Sequence, residues 1–270
     1  MNDNLIVTIY VVIDDGLKYL NQTDHRLAQV NQAEVLTVAV VAAKYFQNNH
    51  ERALYVMQGI GYLSGTLSVS RFNRRLHALS ECLMALLDLL GDLFAQGEVF
   101  IIDSMPLPVC RRVRARRCTK VQGRAYYGYC AAHKTHYFGW KLHLTCTSDG
   151  VPVAFDKLPA AYHDLTPIHE LTVGLPPGTC VVADKAYNSY PDELYSYLFG
   201  GVRIVARRRQ NMSPNSASDA LLLQQHRSTV ETVNSQLEKM GVQRLHARTT
   251  IGFDVKLYAS LLALVFTNGI

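Results

Sequence analysis

The chain has 270 residues, enough for one large or two modest domains, each with its own core. An apolar fraction of 49% and a charged fraction of 18% are those of a globular protein and exclude a disordered or low-complexity chain. The 27 Lys and Arg exceed the 22 Asp and Glu by only +5, so any attraction to a polyanion must come from where the charges sit, not from their sum.

Residues 1 to 95 read as helical. The apolar run Leu5 to Ile13 is too short to cross a bilayer, and no basic segment precedes it. With no membrane segment elsewhere and no secretory signal, a cytoplasmic protein with six reduced cysteines is expected. Asn31-Gln-Ala-Glu34 has the form of a cap answered three residues on by Glu, and it opens an apolar run through Phe46. His50 to Tyr62 forms a further helix, ended by Gly59, Gly61 and Gly65. From Ser70 the apolar spacing predicts one long amphipathic helix through Leu90, with Arg71, Arg74 and Arg75 in its first turns. Helix, glycine-containing turn and basic helix suit helix-turn-helix docking on DNA; a packing or dimerising bundle is the other reading.

From Glu98 the texture changes to strands. Val99-Phe-Ile-Ile-Asp103 and Cys180-Val-Val-Ala-Asp184 each read as a buried strand closed by a carboxylate at its C-terminal end. Between Ser104 and Ser148 there is no acid, while Arg111, Arg112, Arg114, Arg116, Arg117, Lys120 and Arg124 all fall inside. A second acid-free stretch, Leu194 to Ser218, holds Arg207, Arg208 and Arg209. Such tracts attract a polyanion such as nucleic acid; a solvated basic loop that keeps the protein soluble is the other reading. The β-formers Tyr137 to Thr147 and the run Val151 to Phe155, joined through Asp149-Gly150, predict a hairpin. His163-Asp164 to Val173 reads as a helix with Asp164 as N-cap. A short helix near Asp192 to Leu198, a strand Val202 to Ala206, and helices at Ser228 to Met240 and Phe253 to Thr267 complete the chain. The expected fold is therefore α/β, a mixed sheet covered by helices over residues 96 to 270, preceded by an all-helical domain over residues 1 to 95.

Two strand-end aspartates in a basic chain suit divalent-metal chemistry on phosphodiesters, because metal ions can hold both the attacking and the leaving oxygen. A pair of such ions needs at least two and usually three carboxylates. Glu231, on the late helix, is the third candidate. Ser228-Thr-Val-Glu231 also satisfies the capping-box pattern, and Glu238 lies on nearly the same helical face as a rival.

In this order, Ile-Ile-Asp103-Ser, Tyr-Phe-Gly-Trp-Lys-Leu-His, Val-Ala-Asp184-Lys-Ala-Tyr and Arg227-x3-Glu231 resemble the DDE transposases of bacterial insertion sequences. The preceding Ser-Arg-Phe-Asn-Arg-Arg-Leu-His is similar to their helical N-terminal region. The resemblance covers about residues 98 to 260. It implies an RNase H-like catalytic domain in which Asp103, Asp184 and Glu231 hold two Mg2+ ions, with Mn2+ able to substitute. It also implies double-stranded DNA, both transposon ends and target, as partner, a homodimer on that DNA, and association with the bacterial nucleoid. The expected reaction is end cleavage followed by strand transfer. His163-Asp164 resembles a pair that assists near the metals in such enzymes, with surface capping as the other reading. Arg227 and Lys239 would contact DNA. Two positions depart from the family pattern: Gln224 stands where a tyrosine is usual, and Glu238 where a lysine is usual, with Lys239 one further on.

Tyr126, Tyr127, Tyr129 and Trp140 could stack on unpaired bases, or serve simply as strand aromatics. Three rival functions stay open: a stand-alone RNase H-like nuclease, a DNA-binding derivative without catalysis, and a zinc-organised module. The last would rest on Cys130-Ala-Ala-His133 with Cys110, Cys118 and His136 near.

Overall fold

The computed structural model describes residues 1–131 and 134–270, so the zinc-like Cys130-Ala-Ala-His133 spacing falls partly outside the described residues. The chain forms two compact units, Met1–Leu90 with Gln236–Asn268, and Gly91–Ser235. The sequence predicts one boundary near residue 95, with residues 96 to 270 as one domain. The chain instead returns its C-terminal segment to the helical unit.

In the helical unit, α1 (Asp3–Tyr19), α2 (Gln32–Phe46), α3 (His50–Gly59), α4 (Val69–Ala78) and α5 (Ser80–Phe94, which continues into the second unit) follow one another. The capping box expected at Asn31 is present: Asn31 accepts from the Glu34 N–H, and Glu34 accepts from the Asn31 N–H. α2 is buried without a break from Ala33 to Ala43, which is possible only for a helix covered on all sides. α1, α3 and α8 (Thr250–Asn268) pack on it. α8 is apolar around its whole circumference, and that is why it is drawn back to this unit. It is long and apolar enough to cross a membrane, with a mean hydropathy of 1.4, yet 67% of it is buried among the other helices. The expected single helix from Ser70 to Leu90 is two, α4 and α5, which meet at Leu79. There the backbone leaves helical geometry (φ −95°, ψ 13°) and its N–H is shared between the Arg75 and Leu76 carbonyls.

The second unit is built around β1 (Val99–Cys110). On one side β3 (Thr135–Thr147) pairs with it antiparallel, and β2 (Tyr127–Cys130) and β4 (Pro152–Pro159) both pair with β3. On the other side β5 (Cys180–Ala183) and then β6 (Arg203–Ala206) run parallel. This is the mixed, helix-covered sheet of an RNase H-like domain. The Asp149-Gly150 hairpin is present, with Gly150 at φ +84°. Gly139 is fixed by close approach, since a Cβ there would lie 2.2 Å from the Leu107 carbonyl oxygen. Phe100, Ile102, Val181, Ala183, Ile204 and Ala206 present one sheet face to a core shared with Ile168, Leu171 and Tyr187. α6 is Tyr190–Gly200 and α7 is Ala217–Lys239.

Two expectations are corrected here. Asp103 does not end its strand, because β1 runs on to Cys110; what ends beside it is the parallel pairing with β5, at Ile102↔Ala183. Residues 163–173 form a string of turns, not a helix, and Asp164 is no N-cap. Pro167 has no N–H to give, and the bonds that follow mix three- and four-residue spacing, as in Leu171 N–H to Pro167 and Thr172 N–H to His169.

Candidate active site

Strand register brings the two aspartates together. Val99↔Cys180 through Ile102↔Ala183 are paired in parallel, so Asp103 and Asp184 come next, side by side. Ile102 and Ala183 face the core, and alternation turns both carboxylates to the opposite face of the sheet. Asp103 is half-buried and Asp184 exposed. Among the described residues no lysine or arginine forms an ion pair with either, although Lys185, Arg207 and Arg227 line the same cleft.

Burial pushes the Asp103 carboxyl up to about 6. Bonds from the Ser104 N–H and the Asn234 amide oppose the rise, and the charges of Asp184 and Asp164 add to it. The folded protein therefore binds this proton more tightly than the unfolded chain, whose ordinary value is 3.8. Stability contributed at this position is full at low pH and is lost as pH climbs towards 6. In metal-free buffer Asp103→Asn should stabilise the fold by about 1–3 kcal/mol above about pH 7 and be nearly neutral near about pH 4, as read from denaturant midpoints at the two pH values.

α7 carries the third candidate acid. It begins at Ala217, so Ser228 lies inside the helix and Glu231 is not the partner of a cap. Glu231 lines the cleft of about 750 Å³ that also holds Asp103 and Asp184. Its exposed carboxylate is engaged by Arg227, 3.1 Å away and one turn earlier. Among the described residues, no three His, Cys, Asp or Glu side chains converge closely enough to hold a metal together. Glu238 does not line this cleft and instead accepts from Gln243 at 3.0 Å. Asn234, absent from the sequence reading, donates from Nδ2 to Asp103 Oδ2 at 2.7 Å. Its three-residue spacing from Glu231 is the signal that would have found it.

Asp164 lies behind this face. It accepts from the Ser104 hydroxyl at 2.8 Å and pairs with Lys141 at 3.1 Å. His143 is fully buried and pushed down to about 4 chiefly by that burial, against the opposing pull of Asp164; its ring lies 3.4 Å from the Tyr187 hydroxyl. Burial drives the Tyr187 phenol well above its usual range. The Asp164 carboxylate thus braces the residue next to Asp103. Among the described residues, His163 bonds within its own turn, accepting from the Leu165 N–H.

The arginines differ in exposure and in how far they are paired within the protein. Arg111, Arg112, Arg114, Arg116 and Arg117 are all exposed on a short 3-10 segment, Arg112–Arg117, and its capping residue. With three residues per turn, Ala115 and Cys118 share the buried edge, which turns most of the arginines to solvent. Arg124, Arg207 and Arg209 are exposed as well, as are Arg227 and Lys239 on α7, and Lys120 is half-buried. Arg208 is spent in a two-pronged pair with Glu193, at 2.6 and 2.8 Å. In the helical unit Arg71 and Arg74 are exposed, whereas Arg75 bonds the Val30 carbonyl at 2.7 Å. Trp140 is buried against Tyr126 and beneath Lys157, while Tyr127 and Tyr129 stay exposed.

A family model described as a transposase DDE domain matches residues 95–250. No curated protein and no solved structure matches the chain significantly. The match spans more than half of the chain and both strand-borne aspartates, and on that ground the chain belongs to the DDE transposase family.

Proposed function

We propose that this transposase cuts DNA at the ends of its element and joins the freed ends to a target, using a divalent cation held by Asp103, Asp184 and Glu231. The observation that carries the proposal is the strand register that sets two carboxylates side by side, paired to no lysine or arginine among the described residues, in a cleft rimmed by Lys185, Arg207 and Arg227. Oxygen donors of this kind fit Mg2+ or Mn2+. When bound there, such an ion activates the attacking oxygen and stabilises the leaving one. The protein's part is placement: the sheet fixes the two aspartates, and α7 brings Glu231 to the same cleft, where releasing Arg227 would free the acid for the cation and the arginine for a phosphate. The exposed arginines hold the backbone, and a homodimer joins two ends in one event. We place the protein in the bacterial cytoplasm, on the nucleoid when bound to DNA.

The test is to incubate the chain with Mg2+ and the DNA flanking its own gene, map nicks, and then supply precut ends and assay joining. Nicks at discrete ends and joined products support the proposal. Cleavage without joining would favour a stand-alone nuclease, and salt-sensitive binding without nicking in Mg2+ or Mn2+ would favour a DNA-binding derivative. Glu231→Gln is expected to lower cleavage by about 10²-fold or more, and Glu238→Gln by less than about threefold. The reverse ranking would remove Glu231 from the site.

A further inference from the structure

Among the α7 side chains that line the cleft, Glu231 and Asn234 stand about one turn apart. Glu231 is held by Arg227, whereas Asn234 reaches the strand and donates its amide hydrogen to Asp103 Oδ2 at 2.7 Å. We infer that Asn234 is a positioning residue that pins one oxygen of the Asp103 carboxylate and so keeps the other turned to a divalent cation shared with Asp184. The inference rests on the metal-dependent reading proposed above.

Three features carry it. Rotation about the last torsion of an aspartate is loosely restrained, so a half-buried carboxylate that must meet a cation in one orientation needs an external hold. The hold is neutral. A lysine or arginine at 2.7 Å would cancel the charge the cation requires, while an amide orients the carboxylate and leaves its charge in place. On the side away from the open cleft the amide has little room to swing: the space between α7 and the strand face of Ile101, Leu144 and Cys146 measures about 20 Å³, room for no more than a water. Support of this kind, one step removed from the ion, is how proteins tune metal affinity.

The test measures Mn2+ binding to the full chain without DNA, by calorimetry or electron paramagnetic resonance, alongside melting in EDTA. Asn234→Leu should weaken Mn2+ binding about tenfold or more while melting in EDTA is maintained. A merely structural role would lower the melting temperature and leave the affinity of the folded protein unchanged. Asn234→Ala, which removes the amide without adding bulk, repeats the test if the leucine does not fit. Affinities within about twofold of the unaltered chain in the folded variants would overturn the inference. Asp103→Asn, run in parallel, separates the two ideas. If it binds Mn2+ normally, the metal site itself is misplaced; if it loses Mn2+ while the Asn234 variants keep it, only the positioning role fails.

Discussion

Asp103→Asn and Asp184→Asn, made singly, should each cut metal-dependent DNA cleavage by about 10³-fold or more and change duplex binding by less than about threefold. The size follows from the chemistry. A cation in contact with a phosphodiester supplies several kcal/mol of charge stabilisation in the transition state, and each 1.36 kcal/mol is a factor of ten in rate. Replacing either carboxylate by an amide removes half of the charge that the in-register pair offers. Binding is expected to be spared because the cations proposed to face DNA are other side chains, and those of the 3-10 segment do not line the cleft. Gel shifts in EDTA together with cleavage time courses in Mg2+ and in Mn2+ make the comparison. Equal loss of binding and cleavage would mean that the substitutions damage the fold. Asp103→Asn guards against that reading, since it is expected to make the metal-free protein more stable at neutral pH.

Changing Arg111, Arg112, Arg114, Arg116 and Arg117 together to glutamine should weaken duplex binding about 10³-fold at low salt and reduce the slope of log K against log [salt] by about four. Each arginine that neutralises a phosphate releases counterions, and the released ions set the slope. The segment is suited to this role because its buried edge is Ala115 and Cys118, so its guanidinium groups are not needed to hold the fold. Arg208→Gln serves as the contrast. Its two-pronged bond to Glu193 makes it a structural arginine, so its loss should lower the melting temperature and leave the salt slope alone. A slope unchanged by the five substitutions would show that DNA runs along another face.

The strands that carry Asp103 and Asp184 were legible because uninterrupted apolar runs leave few other choices, and the Asn31 cap because its partner stands three residues on. The extent of β1 was hidden because the apolar run ends at Asp103, and the continuation past it carries Pro106 and Pro108. Both are tolerated because β5 ends beside Ile102, leaving that edge of the strand open where a missing N–H breaks no ladder. Single-chain spacing also could not reveal that α8 returns to the helical unit, since an all-round apolar helix shows burial but not its neighbours. The state of Glu231 depends on which way a side chain turns, and Arg227 decides that. Lys141 and His143, polar residues at alternate positions of a buried strand, were a missed sign of the Asp164 brace.

Because the two aspartates are aligned by strand pairing rather than by loops, their partnership depends on an even count along the backbone. Inserting or deleting a single residue within 99–103 or 180–184 would rotate one carboxylate to the far side of the sheet. The turns between 160 and 178 carry no such arithmetic: they are held by individual contacts, such as Asp164 with Ser104 and Leu171 in the core, so a change of length there would cost those contacts without reversing a whole strand.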